Sequence, residues 1–171
     1  MTLNTLQDVL QEQLEDMLSA ERQLVEALPK LAKAASEDEL REAFEHHLEE
    51  TKGHVKRVED ALGELGASGS SEECKGMKGL IAEGEEIIEM DGDPMAKDAA
   101  LIGAAQRVEH YEIAAYGTAR TLADQCGLDG IKDLMDQTLD EESEADSLLT
   151  KLATGGRFSA GINERAGEGN A

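Results

Sequence analysis

Apolar residues recur every three or four positions along four long stretches of the chain, the spacing of amphipathic helices. The first stretch runs Leu6, Leu10, Leu14, Met17, Glu21, Leu24, Leu28 and Leu31, with Asn4 and Gln7 as its opening signal. Pro29 should kink or end this helix near Leu28, although Ala32 to Ala35 could continue it past a kink. The second stretch opens at Ser36-Glu37-Asp38-Glu39, which reads as a capping box. It runs Leu40, Phe44 or Ala43, His47, Glu50 or Thr51, His54, Val58, Ala61 or Leu62, and Leu65, and Gly66 is a natural stop. The third begins at Asp93 and Pro94, a cap followed by a first-position proline, and extends to about Gln125. Ile102, Ala105, Glu109, Glu112 and Tyr116 form its inner face. A tight turn over 126–130 leads into the fourth, with Ile131, Leu134 or Met135, Thr138, Glu142, Ala145, Leu149 and Leu152 inward. Gly155 and Gly156 end it.

These helices fall into two pairs, each joined by a short turn. A long connection from Gly66 to Asp93 links the pairs and holds a weaker helical piece, Met77 to Met90. Short turns make antiparallel neighbours, and the long link can carry the chain back along the bundle. The pattern predicts an all-α four-helix bundle over residues 1–154, with a crossover carrying a short extra helix. Residues 155–171 are Gly-rich and polar and read as a flexible tail.

All four inner faces are interrupted by charge or histidine near mid-helix. The first contributes Glu21, the second Glu50 with His47 and His54, the third Glu109 and Glu112, and the fourth Glu142 with Asp146. Glu141 is nearly as well placed. At about 100° per residue, His47, Glu50 and His54 lie within roughly 60° of one another. One such acid alone would usually be a boundary residue that reaches water. Four at one level need a cation, because buried carboxylates are costly and repel one another. The inner faces offer almost no Lys or Arg to neutralise them. Carboxylates bridging a pair of divalent ions, with imidazoles outside, suit iron or manganese better than zinc. We therefore expect two divalent metal ions, iron ahead of manganese.

Composition narrows the partners. The chain has 171 residues, enough for one domain with a sizeable core. Its formal charge is −22, from 38 acidic and 16 basic residues, which argues against nucleic acid and against an anionic membrane surface. With two Phe, two Tyr and no Trp, so acidic a surface would suit a salt-rich cytoplasm and a halophilic source. The alternative is an ordinary acidic bacterial protein. Cys74 and Cys126 stand outside any CxxC and read as free thiols in a reducing, cytoplasmic compartment. The first residues, Met1 to Asn4, carry no signal-peptide pattern, and no apolar run approaches about 18 residues. Both tyrosines flank the acids: Tyr111 and Tyr116 are candidates for hydrogen bonds to metal ligands or for redox partners, with core packing the plainer role. His110 points away from the inner face.

Ser19-Ala20-Glu21-Arg22-Gln23-Leu24, Ala27-Leu28-Pro29-Lys30, His47-Leu48-Glu49-Glu50-Thr51, Gly79 to Gly84 and Val108-Glu109-His110-Tyr111-Glu112 through Thr118 resemble the YciE/YciF-like family of bacterial stress proteins. The resemblance covers about Leu3 to Ala153. It implies a ferritin-like bundle, a dinuclear metal centre and a homodimer. Ferritin-like sites place a Glu-x-x-His on the second helix. This chain departs from that, because His54 follows Glu50 by four residues and His47 precedes it by three. Where a histidine would be expected after Glu142, Ala145 stands instead, with Asp146 the substitute. The departures imply a nitrogen-poor centre. Three functions fit: a redox metalloprotein that oxidises Fe(II) or reduces peroxide or oxygen, a non-enzymatic stress protein with structural metal, or a metal-free bundle with a polar core.

Overall fold

The computed structural model describes residues 2–69, 72–156 and 159–168. The loop expected at Ser70 and Ser71, the start of the chain at Met1, and tail residues 157–158 and 169–171 lie outside the described residues. The elements in order are α1 (Leu6–Ala34), α2 (Asp38–Glu64), α3 (Lys75–Glu89), α4 (Pro94–Gln125), α5 (Asp129–Thr154), β1 (Gly155–Gly156), β2 (Ser159–Ala160) and α6 (Ile162–Glu168). The four long helices are α1, α2, α4 and α5, and α3 rides on the crossover. Packing is heaviest between α4 and α5 and between α1 and α2, while α2 with α5 and α1 with α4 complete the bundle. The fold is an all-α four-helix bundle with a helix on its crossover, as the helical periodicity predicts, and it has the ferritin-like form that the family resemblance implies.

Local chemistry explains where the helices begin and end, with three departures from the sequence reading. Thr5, not Asn4, caps α1: the Asp8 amide donates to Thr5 Oγ1 at 3.1 Å and the Thr5 amide donates to Asp8 Oδ2 at 2.8 Å. Pro29 does not end α1, which runs on to Ala34. Proline removes one amide donor, but Leu24, Ala27, Leu28 and Ala32 bury the helix on both sides of it, and that packing holds the helical course. The Ser36 capping box does not form. Glu37 is the cap residue of α2 and its side chain caps nothing. Instead Asp98 reaches across from α4. Its carboxylate accepts from the Ser36 amide at 2.9 Å, the Glu37 amide at 2.8 Å and the Ser36 hydroxyl at 2.7 Å. Asp98 has no exposed surface, so this is a buried, charge-assisted clamp between two helices. Gly66 and Gly127 close α2 and α4 at φ 70°, where a side chain would strain the backbone.

The apolar core divides into two clusters. One holds Leu24, Phe44, Ile102, Ala105 and Leu149, with Met77 of α3 packed into it. The other holds Leu14, Met17, Val58, Tyr116 and Met135. On every long helix the charged interruptions fall between the two. Glu21 lies between Met17 and Leu24, His47 and His54 between Phe44 and Val58, Glu109 and Glu112 between Ala105 and Tyr116, and Glu142 between Met135 and Leu149. The bundle is thus a polar layer between two dry ones.

The expected flexible tail takes a different form over its described residues. Gly155 pairs with Ala160 and Gly156 with Ser159, and α6 follows against α4 and α5. Ile162 is buried in the first apolar cluster, and Arg165 pairs with Glu37 at 2.7 Å. A Cβ on Gly155 would meet Ser159 O at 2.4 Å, and this close approach explains a glycine there.

The Asp98 clamp gives a direct stability prediction. Asp98→Ala should lower unfolding free energy in urea by about 2–4 kcal/mol, because three donors lose a buried charged acceptor together. A loss under about 1 kcal/mol would show that water replaces the carboxylate.

Candidate metal centre

The polar layer brings together six of the eight expected residues. Glu21 comes from α1, His47 and His54 from α2, Glu109 and Glu112 from α4, and Glu142 from α5, all of them buried. Their donor atoms form two groups. His47, Glu109, Glu112 and Glu142 make one, and Glu21, His54 and Glu142 make the other, each with its donor atoms within 4.8 Å of one another. Glu142 belongs to both. His47 Nε2 lies 3.5 Å from Glu109 Oε2 and 3.6 Å from Glu142 Oε2. His54 Nδ1 lies 2.9 Å from Glu142 Oε1 and 3.6 Å from Glu21 Oε2. None of these contacts has hydrogen-bonding geometry. Among the described residues, nine buried side-chain nitrogen or oxygen atoms lack a hydrogen-bond partner, and eight of them belong to these six residues. Buried polar atoms are almost always paired, and these orphan atoms belong to groups that could hold a metal ion.

Neighbouring side chains aim both imidazoles. His54 Nε2 lies 2.9 Å from Glu141 Oε2, and Arg57 donates to that same oxygen. Arg57 also donates to Thr138 Oγ1 at 2.8 Å. An Nε2–H held by Glu141 leaves the Nδ1 lone pair turned to Glu21 and Glu142. His47 is aimed the opposite way. Its Nδ1 lies 3.4 Å from Glu50 Oε2, which leaves Nε2 for Glu109 and Glu142. Tyr116 donates its hydroxyl to Glu21 Oε1, the hydrogen-bonding role expected of it. Tyr111 donates to Asp16 Oδ2 at 2.9 Å instead, beside the Cys74 thiol. Cys74 and Cys126 are both free, and burial pushes the Cys74 thiol up.

Two expected residues stand outside the groups. Glu50 is half-buried, 3.3 Å from His46 Nδ1, and acts behind His47 rather than beside Glu109. Thr51 takes the inward place, with its hydroxyl donating to the His47 carbonyl at 2.7 Å. Asp146 accepts from Gln106 Nε2 at 3.0 Å and lies 3.6 Å from the exposed His110. It does not substitute for a histidine on α5. The second imidazole comes from α2 instead, two helical turns from the first. Arg57 was missed from the sequence, although it sits three residues after His54 on the same face.

Burial and crowding set the protonation of the cluster. Desolvation, then the Glu142 charge, holds the Glu109 carboxyl well above its usual range. Glu112 is raised by the same causes, with Glu21 and Glu109 adding to them. Desolvation opposes the charged form of His54, but contacts with Glu142 and Glu21 outweigh it and raise its pKa to about 10. Desolvation also pushes Glu142 up, yet His54 and His47 pull it below the usual carboxylate value. The layer therefore collects protons to offset its negative charge, and a cation bound there would displace them.

Over 154 residues the chain is 46% identical to the protein YciF of Escherichia coli strain K12, covering 90% of this chain and 93% of that one. The crystal structure of the E. coli stress protein YciF superposes with a TM-score of 0.85, covering 88% of this chain and 95% of that chain. YcfI of Rhodopseudomonas palustris gives a TM-score of 0.84 at 36% identity, over 88% and 96% of the two chains. Ferritin-like diiron-carboxylate proteins of Bacillus anthracis share the fold at 15% identity, with a TM-score of 0.68 over 89% and 99%. No described helix is long and apolar enough to cross a membrane. Residues 5–166 match a single family, and the chain belongs to it: the family described as a domain of unknown function, DUF892.

Proposed function

We propose that this chain is a stress-response protein that holds two divalent metal ions, iron ahead of manganese, and uses them in redox chemistry on Fe(II) and peroxide or oxygen. The observation that carries the reading is the convergence of eight unpartnered buried atoms on one layer. Charge supports it. Glu21, Glu109, Glu112 and Glu142 carry four negative charges when ionised, and two divalent cations cancel them. Donor chemistry supports it too. Carboxylate-bridged dimetal bundles use four carboxylates and two imidazoles. The same set occurs here, with both imidazoles on α2 and two carboxylates on α4. The stress role rests on the likeness to YciF, whose structure is described as that of a stress protein.

Each residue has a part in this reading. His47, Glu109, Glu112 and Glu142 would hold one ion, and Glu21, His54 and Glu142 would hold the other. Glu141 with Arg57, and Glu50, keep the two imidazoles turned inward. Two Fe(II) ions held by these residues would supply the two electrons that, with two protons, reduce hydrogen peroxide to two waters.

Two experiments test the proposal. Elemental analysis of protein purified without an affinity tag or added metal should find about two irons or manganeses per chain, and Glu109→Ala/Glu112→Ala should lose them while keeping its helical circular dichroism. A wild-type protein that is empty and takes up neither ion from anaerobic solution would refute it.

The second experiment reads the pH dependence of melting. Glu109 and Glu112 are raised above 4.5, so the folded metal-free chain binds more protons than the unfolded one above that pH, and stability from this source falls as pH rises. His54 adds in the same direction. Its contribution is complete below its ordinary value of 6.5 and is lost as the pH rises through about 10. Glu142 works oppositely, but only as pH falls below 4.5. Metal-free protein should therefore melt higher at about pH 5.5 than at about pH 8. Bound metal, or Glu109→Gln/Glu112→Gln, should flatten the difference. An equal slope in all three samples would contradict the proposal.

A further inference from the structure

The two halves of the centre differ in their access to solvent. A cavity of about 230 Å³ lies between α2 and α5 and reaches the cluster at His47 and Glu109. Glu21, His54 and Glu142 do not line it. Their side is closed by Tyr116, which has no exposed surface and donates to Glu21. Its ring stands edge-on to His54 at 6.2 Å, and it belongs to the dry cluster with Met17, Val58 and Met135.

Small side chains create the cavity. Ala43 on α2 and Ala145 on α5 both line it, and Phe44 and Leu149 add apolar surface. His46 and Glu144 are exposed at its rim, and half-buried Glu50 stands between His46 and His47. The space is small and lies below the usual range of ligand pockets, which suits a molecule of a few heavy atoms rather than a metabolite. Glu50 and Glu144 at the opening, in a chain of net charge −22, repel anions.

We propose that this cavity is the entry and docking pocket for a small uncharged oxidant of the peroxide class. The oxidant meets the centre on its His47 side only, and the Glu21–His54 side is closed to outside molecules. Ala43 and Ala145 set the size of what enters. This rests on the metal reading of the same cluster, and the test separates the two.

The test compares the full-length protein with Ala145→Leu, which fills the cavity from α5. Ala43→Val fills it from α2 should the first variant fail to fold. Iron content by elemental analysis should match wild type in either variant, since neither residue is a ligand. The rate constant for oxidation of Fe(II)-loaded protein by hydrogen peroxide should fall about tenfold or more. Xenon should occupy the apolar cavity in crystals of metal-free wild type and be absent from the variant. A peroxide rate that stays at the wild-type value while xenon is excluded would overturn the pocket. Wild-type protein that holds neither iron nor manganese and takes up neither from anaerobic solution would overturn the metal reading, and this proposal with it, and the elemental analysis alone identifies that failure.

Discussion

Four carboxylates meet in the middle of a helix bundle, and their mutual repulsion is the constraint that everything else accommodates. At an effective dielectric of about 20, two like charges about 4 Å apart repel by about 4 kcal/mol. Glu21, Glu109, Glu112 and Glu142 are each 3% exposed or less, so water does little to screen them. Only positive charge relieves this. Protons on His54, Glu109 and Glu112 do so in part, and two divalent cations would do so in full. The Arg57 guanidinium donates to Glu141 and stands behind that residue rather than among the four. His54 offsets part of the charge from within the layer, and in the function proposed above cations from solution offset the rest.

The rest of the molecule holds this layer in register. Dry clusters above and below fix the four helices, so that residues from α1, α2, α4 and α5 meet at one height. Asp98 ties the start of α2 to α4, and these two helices supply four of the six inward residues. Imidazole orientation is set from outside the layer, by Glu141 and Arg57 for His54 and by Glu50 for His47. Stability and site geometry are thus arranged by different residues. Ala43 and Ala145 line the cavity between α2 and α5.

Much of this was legible in the amino-acid pattern because a bundle helix repeats one face. A three-and-four spacing places a residue on the inner face, and an acid there is conspicuous. Glu21, Glu109, Glu112 and Glu142 were found that way. Spacing is weaker at separating neighbours on that face. Glu50 and Thr51 were equal candidates, and the structure turns Thr51 inward and Glu50 outward. Asp146 was chosen for its distance from Glu142, but its side chain turns to Gln106. Long-range partners leave no periodic trace. Asp98 caps a helix start some 60 residues earlier, which is why the local Ser36 box looked sufficient. Pro29 left an end or a continuation past a kink open, and α1 runs on through it to Ala34. The tail was judged by composition alone, and one apolar residue, Ile162, anchors it.

The most direct test is anomalous diffraction at the iron edge, on crystals grown without metal and soaked anaerobically in Fe(II). Two peaks should appear inside the bundle within about 4 Å of each other, one beside His47 and one beside His54, with Glu142 between them. A map with no peak in the polar layer, or with iron only on the acidic surface, would contradict a dinuclear centre and leave these carboxylates balanced by protons alone.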